Sequence, residues 1–168
     1  MNKMIFETQR LYVAKWKTGN LKALYDLFND VAIKEFILPK LTMEETKHIF
    51  EEQINSYEEH FSFGRYFIVE KCSNEFIGLL LFKEDEKQAG VEIGYSLKKE
   101  CWNKGYATEI VEEAVRWLFS EGTIENIYAI TETDNVSSQR VLLKCNFAQE
   151  DDLLQDGKKM SLFVLKNK

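Results

Sequence analysis

Cysteine, histidine and proline are scarce in this sequence, and long apolar runs are missing. The 168 residues include three cysteines, two histidines and one proline. Cys72, Cys101 and Cys145 are odd in number and have no C-x-x-C spacing, and His48 and His60 have no Cys or His at ligand spacing. No disulfide framework is indicated, and no metal is expected. No stretch nears the roughly 18 consecutive apolar residues of a membrane span. The opening MNKMIFETQR breaks into charge before a signal-peptide core could form, so a cytoplasmic location without a membrane partner is expected. With 22 Lys and Arg against 28 Asp and Glu, the formal charge is −6. That balance lacks the basic excess with which sequence-independent nucleic-acid binders neutralise phosphates. It suits an amine or cationic partner, although solubility alone also accounts for it.

Linkers and repeats are lacking too. No Pro/Gly/Ser-rich stretch or low-complexity run interrupts the chain, and 45% hydrophobic and 13% aromatic residues are enough for one core. A single domain over residues 1–168 is therefore expected. The one proline, Pro39, falls between two helical patterns.

Periodicity gives a coarse order of elements. A first strand is expected around residues 10–16. Leu21, Leu24, Tyr25 and Phe28 then recur at helical spacing, with Asn20 placed to cap them. Thr42 and Glu45 have capping-box spacing and open a second helix that carries Ile49, Phe50, Ile54 and Tyr57 inward. Residues 66–69 and 76–82 read as a hairpin joined at Ser73 and Asn74, followed by a polar turn over residues 84–90. Val91, Ile93, Tyr95 and Leu97 alternate with Glu92, Gly94 and Ser96, the period of a strand.

Ala107, Ile110, Val111, Ala114, Val115 and Leu118 fall on one helical face, with Glu109, Glu112, Glu113 and Arg116 expected to face away. A strand over residues 126–133, a helix over 136–144 and two strands joined across Asp156 and Gly157 close the chain. The order β-α-α-β-β-β-α-β-α-β-β describes a mixed α/β domain, the helix after the Val91 strand crossing toward the residue-126 strand.

Between that strand and that helix lie Trp102, Asn103, Lys104, Gly105, Tyr106, Ala107 and Thr108. A glycine followed by a helix N-terminus offers free N–H groups and the positive end of a dipole to a pyrophosphate, and Lys104 adds a charge. Spacing alone favours an ordinary helix start. There is neither a G-x-G-x-x-G dinucleotide fingerprint nor a G-x-x-x-x-G-K-[ST] triphosphate loop.

Four stretches make the chain resemble the GNAT acetyltransferases, and within them the branch of the ribosomal-protein N-terminal acetyltransferases. ETQRL at residues 7–11 is similar to that branch's opening strand, and EIGYSL at 92–97 to its central strand. WNKGYATE at 102–109 is similar to its cofactor loop, and NVSS at 135–138 with KCNF at 144–147 to its closing helix. The sequence departs from the family pattern at Trp102, where Arg or Gln is usual, at Asn103, where a small residue is usual, and at Asn146, where Gly is usual. Asn tolerates the left-handed conformation that follows a helix. Where many relatives carry a Tyr as proton donor, this chain has Leu142, which cannot donate.

The resemblance implies a GNAT-like acyl-CoA N-acyltransferase fold whose central sheet splays between the Val91 and residue-126 strands, with acetyl-CoA as cosubstrate. It also implies a cofactor site formed by Ser96, Leu97, the seven loop residues, Asn135 and Ser138. A backbone N–H near Tyr95 would face the thioester oxygen. Glu92 is expected as the base, against the alternative of a merely exposed strand carboxylate. Ser138 is the replacement proton donor or, as Asn135 and Ser137 also allow, a helix-start and cofactor contact. Cys101 and Cys145 are given no role. His48 and His60 are expected on the second helix, partly exposed, and the acidic run at residues 84–86 as a solvated turn. The acceptor is expected to be a protein N-terminal α-amine. A small amine such as a polyamine, amino acid or antibiotic, or a non-catalytic CoA-binding module, are the alternatives. Exposed sheet edges leave room for a homodimer.

Overall fold

Short aromatic and branched runs build nine strands among residues 4–30, 41–57, 63–85, 90–155 and 157–167, those described by the computed structural model. Pro39, His60, Glu86 and Asp156 lie outside them, so the expectations placed on these residues do too. The strands are β1 (Met4–Glu7), β2 (Leu11–Ala14), β3 (Gly64–Glu70), β4 (Glu75–Asp85), β5 (Gly90–Leu97), β6 (Asn126–Glu132), β7 (Ala148–Gln149), β8 (Leu153–Gln155) and β9 (Lys158–Lys166). They form one sheet in the order β1-β2-β3-β4-β5-β6-β9-β7, with β8 also on β9. Among the described residues the helices are α1 (Leu21–Phe28), α2 (Met43–Ser56), α3 (Tyr106–Ser120) and α4 (Val136–Lys144).

The mixed α/β order read from the sequence holds, with differences that have local causes. The first strand is shorter than expected and pairs with β1, which was not foreseen: Phe6 faces Val13 and Glu7 faces Tyr12 across a tight turn at residues 8–10. Asn20 stands at the start of α1 but caps the preceding turn instead, accepting from the Lys17 N–H at 2.9 Å. Thr42 and Glu45 do form a reciprocal capping box on α2. Glu84 and Asp85 are not in a turn: β4 runs through them, pairing with Val91 and Gly90, because antiparallel register carries the ladder past the polar residues. β7 is too short to have shown a period.

Strand alternation puts Phe67 and Phe82 on opposite faces, and each face has its own helices. Trp16 stacks between Phe50 of α2 and Phe67, at ring distances of 5.4 and 5.3 Å. On the other side Trp117 of α3 stacks on Phe82 at 5.4 Å and meets Phe6 at 5.9 Å. Ile110, Val111, Ala114 and Leu118 of α3 are fully buried against the sheet, as their spacing requires. α4 ends in a Schellman motif: Phe147 N–H donates to the Leu142 carbonyl and Asn146 N–H to that of Leu143, with Asn146 at φ 66 in the left-handed region.

The sheet consists of two antiparallel halves. β5 pairs with β4 from Gly78↔Leu97 to Asp85↔Gly90, and β6 pairs with β9 from Asn126↔Lys166 to Glu132↔Met160. Between the halves, the parallel pairing covers only Val91↔Ile127 and Glu92↔Tyr128. Beyond Glu92 the strands diverge. Close approach at the seam depends on Gly90, where a Cβ would fall 2.6 Å from the Asn126 carbonyl and 2.5 Å from the Tyr128 ring. Gly90→Ala is therefore expected to destabilise the fold by about 1–3 kcal/mol through overpacking at the seam, measurable as a shifted denaturant midpoint.

Candidate active site

The divergence of β5 from β6 leaves the Gly94 to Leu97 backbone without a partner strand on that edge. A cleft of about 590 Å³ opens there on the α3 and α4 side. It is lined by Tyr95, Ser96 and Leu97 of β5, by Trp102, Asn103, Gly105, Tyr106, Ala107 and Thr108, and by Asn135 and Ser138 of α4. The Ser96 hydroxyl is buried and has no hydrogen-bond partner, an orphaned polar group that a ligand can satisfy.

The loop before α3 is shaped to expose amides. Asn103 and Gly105 are left-handed, at φ 58 and 79, and Gly105 supplies no side-chain cap. The first backbone bond of the helix runs from the Glu109 N–H to the Gly105 carbonyl, so the amides of residues 105–108 have no backbone acceptor. Trp102 donates its indole N–H to the Leu97 carbonyl at 2.7 Å, tying the loop to the end of β5. The Trp that departs from the family pattern thus holds the loop through its side chain.

Arg10, noticed in the sequence only as part of the opening stretch, holds the loop from behind. Its Nη1 donates to the Lys104 carbonyl at 3.0 Å. Because the peptide unit is planar and trans, a carbonyl fixed toward Arg10 turns the Gly105 N–H the opposite way. The guanidinium also lies 4.4 Å from the centre of the Tyr106 ring, and its Nε is 2.6 Å from Glu109 Oε2. Glu109 Oε1 accepts from the Thr8 hydroxyl at 2.5 Å and from the Arg10 N–H at 2.8 Å. Glu109 therefore does not face away from the protein as the helical pattern implied, since the β1–β2 turn covers it. Burial works to raise its carboxyl, but the bonds from Thr8 and Arg10 outweigh this and hold it below the usual range. Tyr106 is buried and its hydroxyl donates to Glu70, which keeps the Glu70 carboxyl low.

A second cavity, about 290 Å³, lies on the other side of the splay. Leu27 and Phe28 of α1, Arg65, Leu81, Glu92 and Glu132 are among the residues that line it, and it shares Tyr95, Ser96, Asn135 and Ser138 with the first cleft. At this junction the Tyr95 hydroxyl is 2.9 Å from the Ser138 hydroxyl. Burial pushes the Tyr95 phenol up to about 12, so it stays protonated at neutral pH. Asn135 caps α4, its Oδ1 accepting from the Ser138 N–H at 3.1 Å.

Most of the expected site residues are thus brought together, with instructive exceptions. Glu92 sits where the strands part and lies 3.5 Å from Lys83 on the neighbouring strand. Lys104 is exposed and does not line the cleft; its carbonyl, rather than its charge, contacts the site's support. Leu142 is buried at 1% exposure beside the second cavity. Cys101 and Cys145 are buried, and burial raises both thiols, Cys145 to about 12, which leaves them poor nucleophiles. His48 is exposed on α2 beside Glu52. Sequence reasoning missed the Tyr95 hydroxyl, Arg10 and Arg65. Each belongs to an ordinary strand or turn pattern and gains meaning only from neighbours distant in the chain. Among the described residues no group of His, Cys, Asp and Glu could hold a metal, and no helix is long and apolar enough to cross a membrane.

Comparison with known proteins agrees with this geometry. The model of the acetyltransferase (GNAT) domain family matches residues 10–148. The uncharacterized N-acetyltransferase YoaA of Bacillus subtilis (strain 168) is 30% identical over 154 residues, covering 90% of this chain and 86% of that protein. Among solved structures, the ribosomal L7/L12 α-N-protein acetyltransferase RimL, in complex with coenzyme A, superposes with a TM-score of 0.81 at 19% identity over 97% of both chains. A spermidine N-acetyltransferase from Vibrio cholerae, in complex with CoA and spermine, gives 0.80 at 17% identity over 94% of this chain and 95% of that one. At these identities the solved structures share the fold.

The Glu109 cluster has a pH signature. A carboxyl held below its ordinary value of 4.5 in the folded state contributes stability above that pH and loses it as pH falls through the folded value. Glu109→Gln is expected to lower stability at neutral pH by roughly 2 kcal/mol, the scale of hydrogen bonds to a charged group. It should also flatten the acid side of the profile below about pH 4.5, as thermal unfolding across a pH series would record.

Proposed function

The chain belongs to the GNAT acetyltransferase family, and from that premise we propose that it moves an acetyl group from acetyl-CoA to a primary amine by direct attack, a protein N-terminal α-amine being the favoured acceptor. The observation that carries this reading is the meeting of two clefts from opposite faces of the sheet at the Tyr95–Ser138 pair. Donor and acceptor enter by separate routes and meet without passing each other, so no acyl-enzyme is required.

The donor cleft fits acetyl-CoA. The free amides of residues 105–108 suit its pyrophosphate, and the unpaired edge of β5 with the orphaned Ser96 hydroxyl suits the amides of its pantetheine arm. Acetyl-CoA supplies the activated acyl group as a thioester. The backbone N–H at Tyr95 is assigned to the developing oxyanion. Glu92, at the parting of the strands, is assigned to take the amine proton through a water. The Ser138 hydroxyl, replenished by the protonated Tyr95 phenol, is assigned to deliver a proton to the leaving sulfur.

The electrostatics favour an α-amine. With a reference pKa of about 7.7–8.0, roughly a tenth of α-amino groups are neutral at pH 7, against well under a thousandth of lysine side chains at about 10.4. A partly exposed glutamate suffices as base for the former. A small amine is the second reading, supported by the likeness to the spermidine enzyme.

The test is thiol release from acetyl-CoA with N-terminal peptides, lysine peptides and spermidine, after calorimetry establishes acetyl-CoA binding. Release is expected with free N-termini; binding without release for any amine would make the chain a non-catalytic CoA module. Tyr95→Phe and Ser138→Ala are each expected to lower kcat roughly 10²-fold while calorimetric acetyl-CoA affinity is largely kept. Glu92→Gln should lower turnover chiefly below neutral pH, where the amine is protonated, and an unchanged pH–rate profile would remove Glu92 from the mechanism.

A further inference from the structure

The charges around the second cavity do not cancel. Of its carboxylates, Glu132 is paired with Lys158 at 2.6 Å and Glu92 with Lys83 at 3.5 Å. Arg65 also lines the cavity, and no ion pair joins its guanidinium to a carboxylate among the described residues. Each cavity carboxylate thus has a lysine partner, whereas the Arg65 guanidinium has no carboxylate partner among the described residues.

Arg65 is also fixed in place. Its N–H donates to Gln53 Oε1 at 2.7 Å, and its carbonyl accepts from the Tyr57 hydroxyl. The register Arg65↔Leu81↔Gly94 puts its side chain on the face that carries Glu92 and bounds the cavity. Leu81 lies between them in that row and lines the cavity floor with Gly94. The guanidinium is partly buried, and burial opposes its charge. Yet an arginine does not give up its proton, so the favourable response is to receive an anion, for which its planar fork is suited.

We propose that the amine acceptor carries a carboxylate, which Arg65 receives while the amine lies between Glu92 and the Tyr95–Ser138 pair. This deepens the acetyltransferase reading above and rests on it. Geometry sets the spacing. Arg65 lies two strand spacings from the β5 row and one two-residue step from Glu92, about 12 Å between backbones before the side chains reach inward. A free α-amino acid, with both groups on one carbon, covers the least of that span. An acidic side chain at the second or third residue of an extended peptide can bridge it, since each residue adds about 3.3 Å. A polyamine brings only further positive charge to the same place.

The experiment compares matched acceptors in the wild-type protein, so it does not depend on a variant folding. Peptides with a free N-terminal Ser and Glu, Gln or Lys at positions two and three form one series. The pair 6-aminohexanoate and 6-aminohexanamide forms another. In the peptides, kcat/KM is expected to be about tenfold higher for Glu than for Gln and lowest for Lys, the gain residing in KM. Arg65→Gln should abolish the difference and Arg65→Glu should reverse it toward Lys. Calorimetric acetyl-CoA affinity reports that the variants are folded.

Acidic preference confined to the aminohexanoate pair, with no peptide acetylated, would overturn the N-terminal reading and leave the Arg65 assignment standing. Acetylation of the peptides with equal kcat/KM for Glu and Gln would overturn the assignment and leave the N-terminal reading standing. A preference for Lys peptides or spermidine, an acid preference that survives in Arg65→Gln, or no acetylation in either series would also overturn the assignment.

Discussion

The parallel contact between β5 and β6 ends after Val91 and Glu92, and both clefts depend on that early end. Each strand is fully engaged on its other edge, β5 with β4 and β6 with β9. Two twisted antiparallel units joined by so short a seam rotate apart as they leave it, because twist accumulates strand by strand. Such an opening would ordinarily expose unpaired backbone at a cost comparable to lost hydrogen bonds. Here the exposed edge lines a cleft in which a ligand with amide groups can replace the missing strand. The same opening connects the two faces of the sheet, so the cleft on the α3 side and the cavity on the α1 side meet at the Tyr95–Ser138 pair. Gly90 at the seam permits the close approach of β5 to Asn126 and Tyr128 on which the join depends.

The turn before α3 is supported by elements far away in sequence. A helix N-terminus presents its amides wherever a helix starts, but their direction must be held. Arg10 and Glu109 do this across the domain, tying the β1–β2 turn to the first turn of α3 through three hydrogen bonds to Glu109, one to the Lys104 carbonyl before it and a stacked ring. Trp102 ties the opposite end of the loop to Leu97. The loop is thus clamped on both sides while its amides stay free. Charge serves two ends in the molecule. At Glu109 it is neutralised locally and contributes rigidity; at Arg65 it has no carboxylate partner among the described residues and lies beside a cavity.

Much of this was legible along the chain. The alternation of residues 91–97 identified β5, and the spacing from Ala107 to Leu118 identified the buried face of α3. Thr42 with Glu45, Asn135 with Ser138 and the left-handed Asn146 behaved as their local chemistry requires. These signals are local, each resting on residues within a turn or two of one another. The misreadings share the converse property. Glu109 looked exposed because helical periodicity assigns a face without knowing what covers it. Asn20 looked like a helix cap because sequence cannot tell which of two adjacent turns its side chain joins. The residues Glu84 and Asp85 looked like a turn because their polarity outweighed a register set by the opposite strand.

The sequence by itself determined most of the elements, their order and the family, because periodicity, caps and the loop at residues 102–108 are encoded in short segments that fold by local rules. It also pointed to acetyl-CoA as the acyl donor. Only the tertiary structure decided that the Tyr95 phenol meets Ser138, that Arg10 stands behind the Lys104 carbonyl, and that Arg65 lines the second cavity with no carboxylate partner among the described residues. Those facts depend on register between strands and on which helix covers which face. No single segment carries that information, since it arises from the shared requirement that every element bury its apolar side at once.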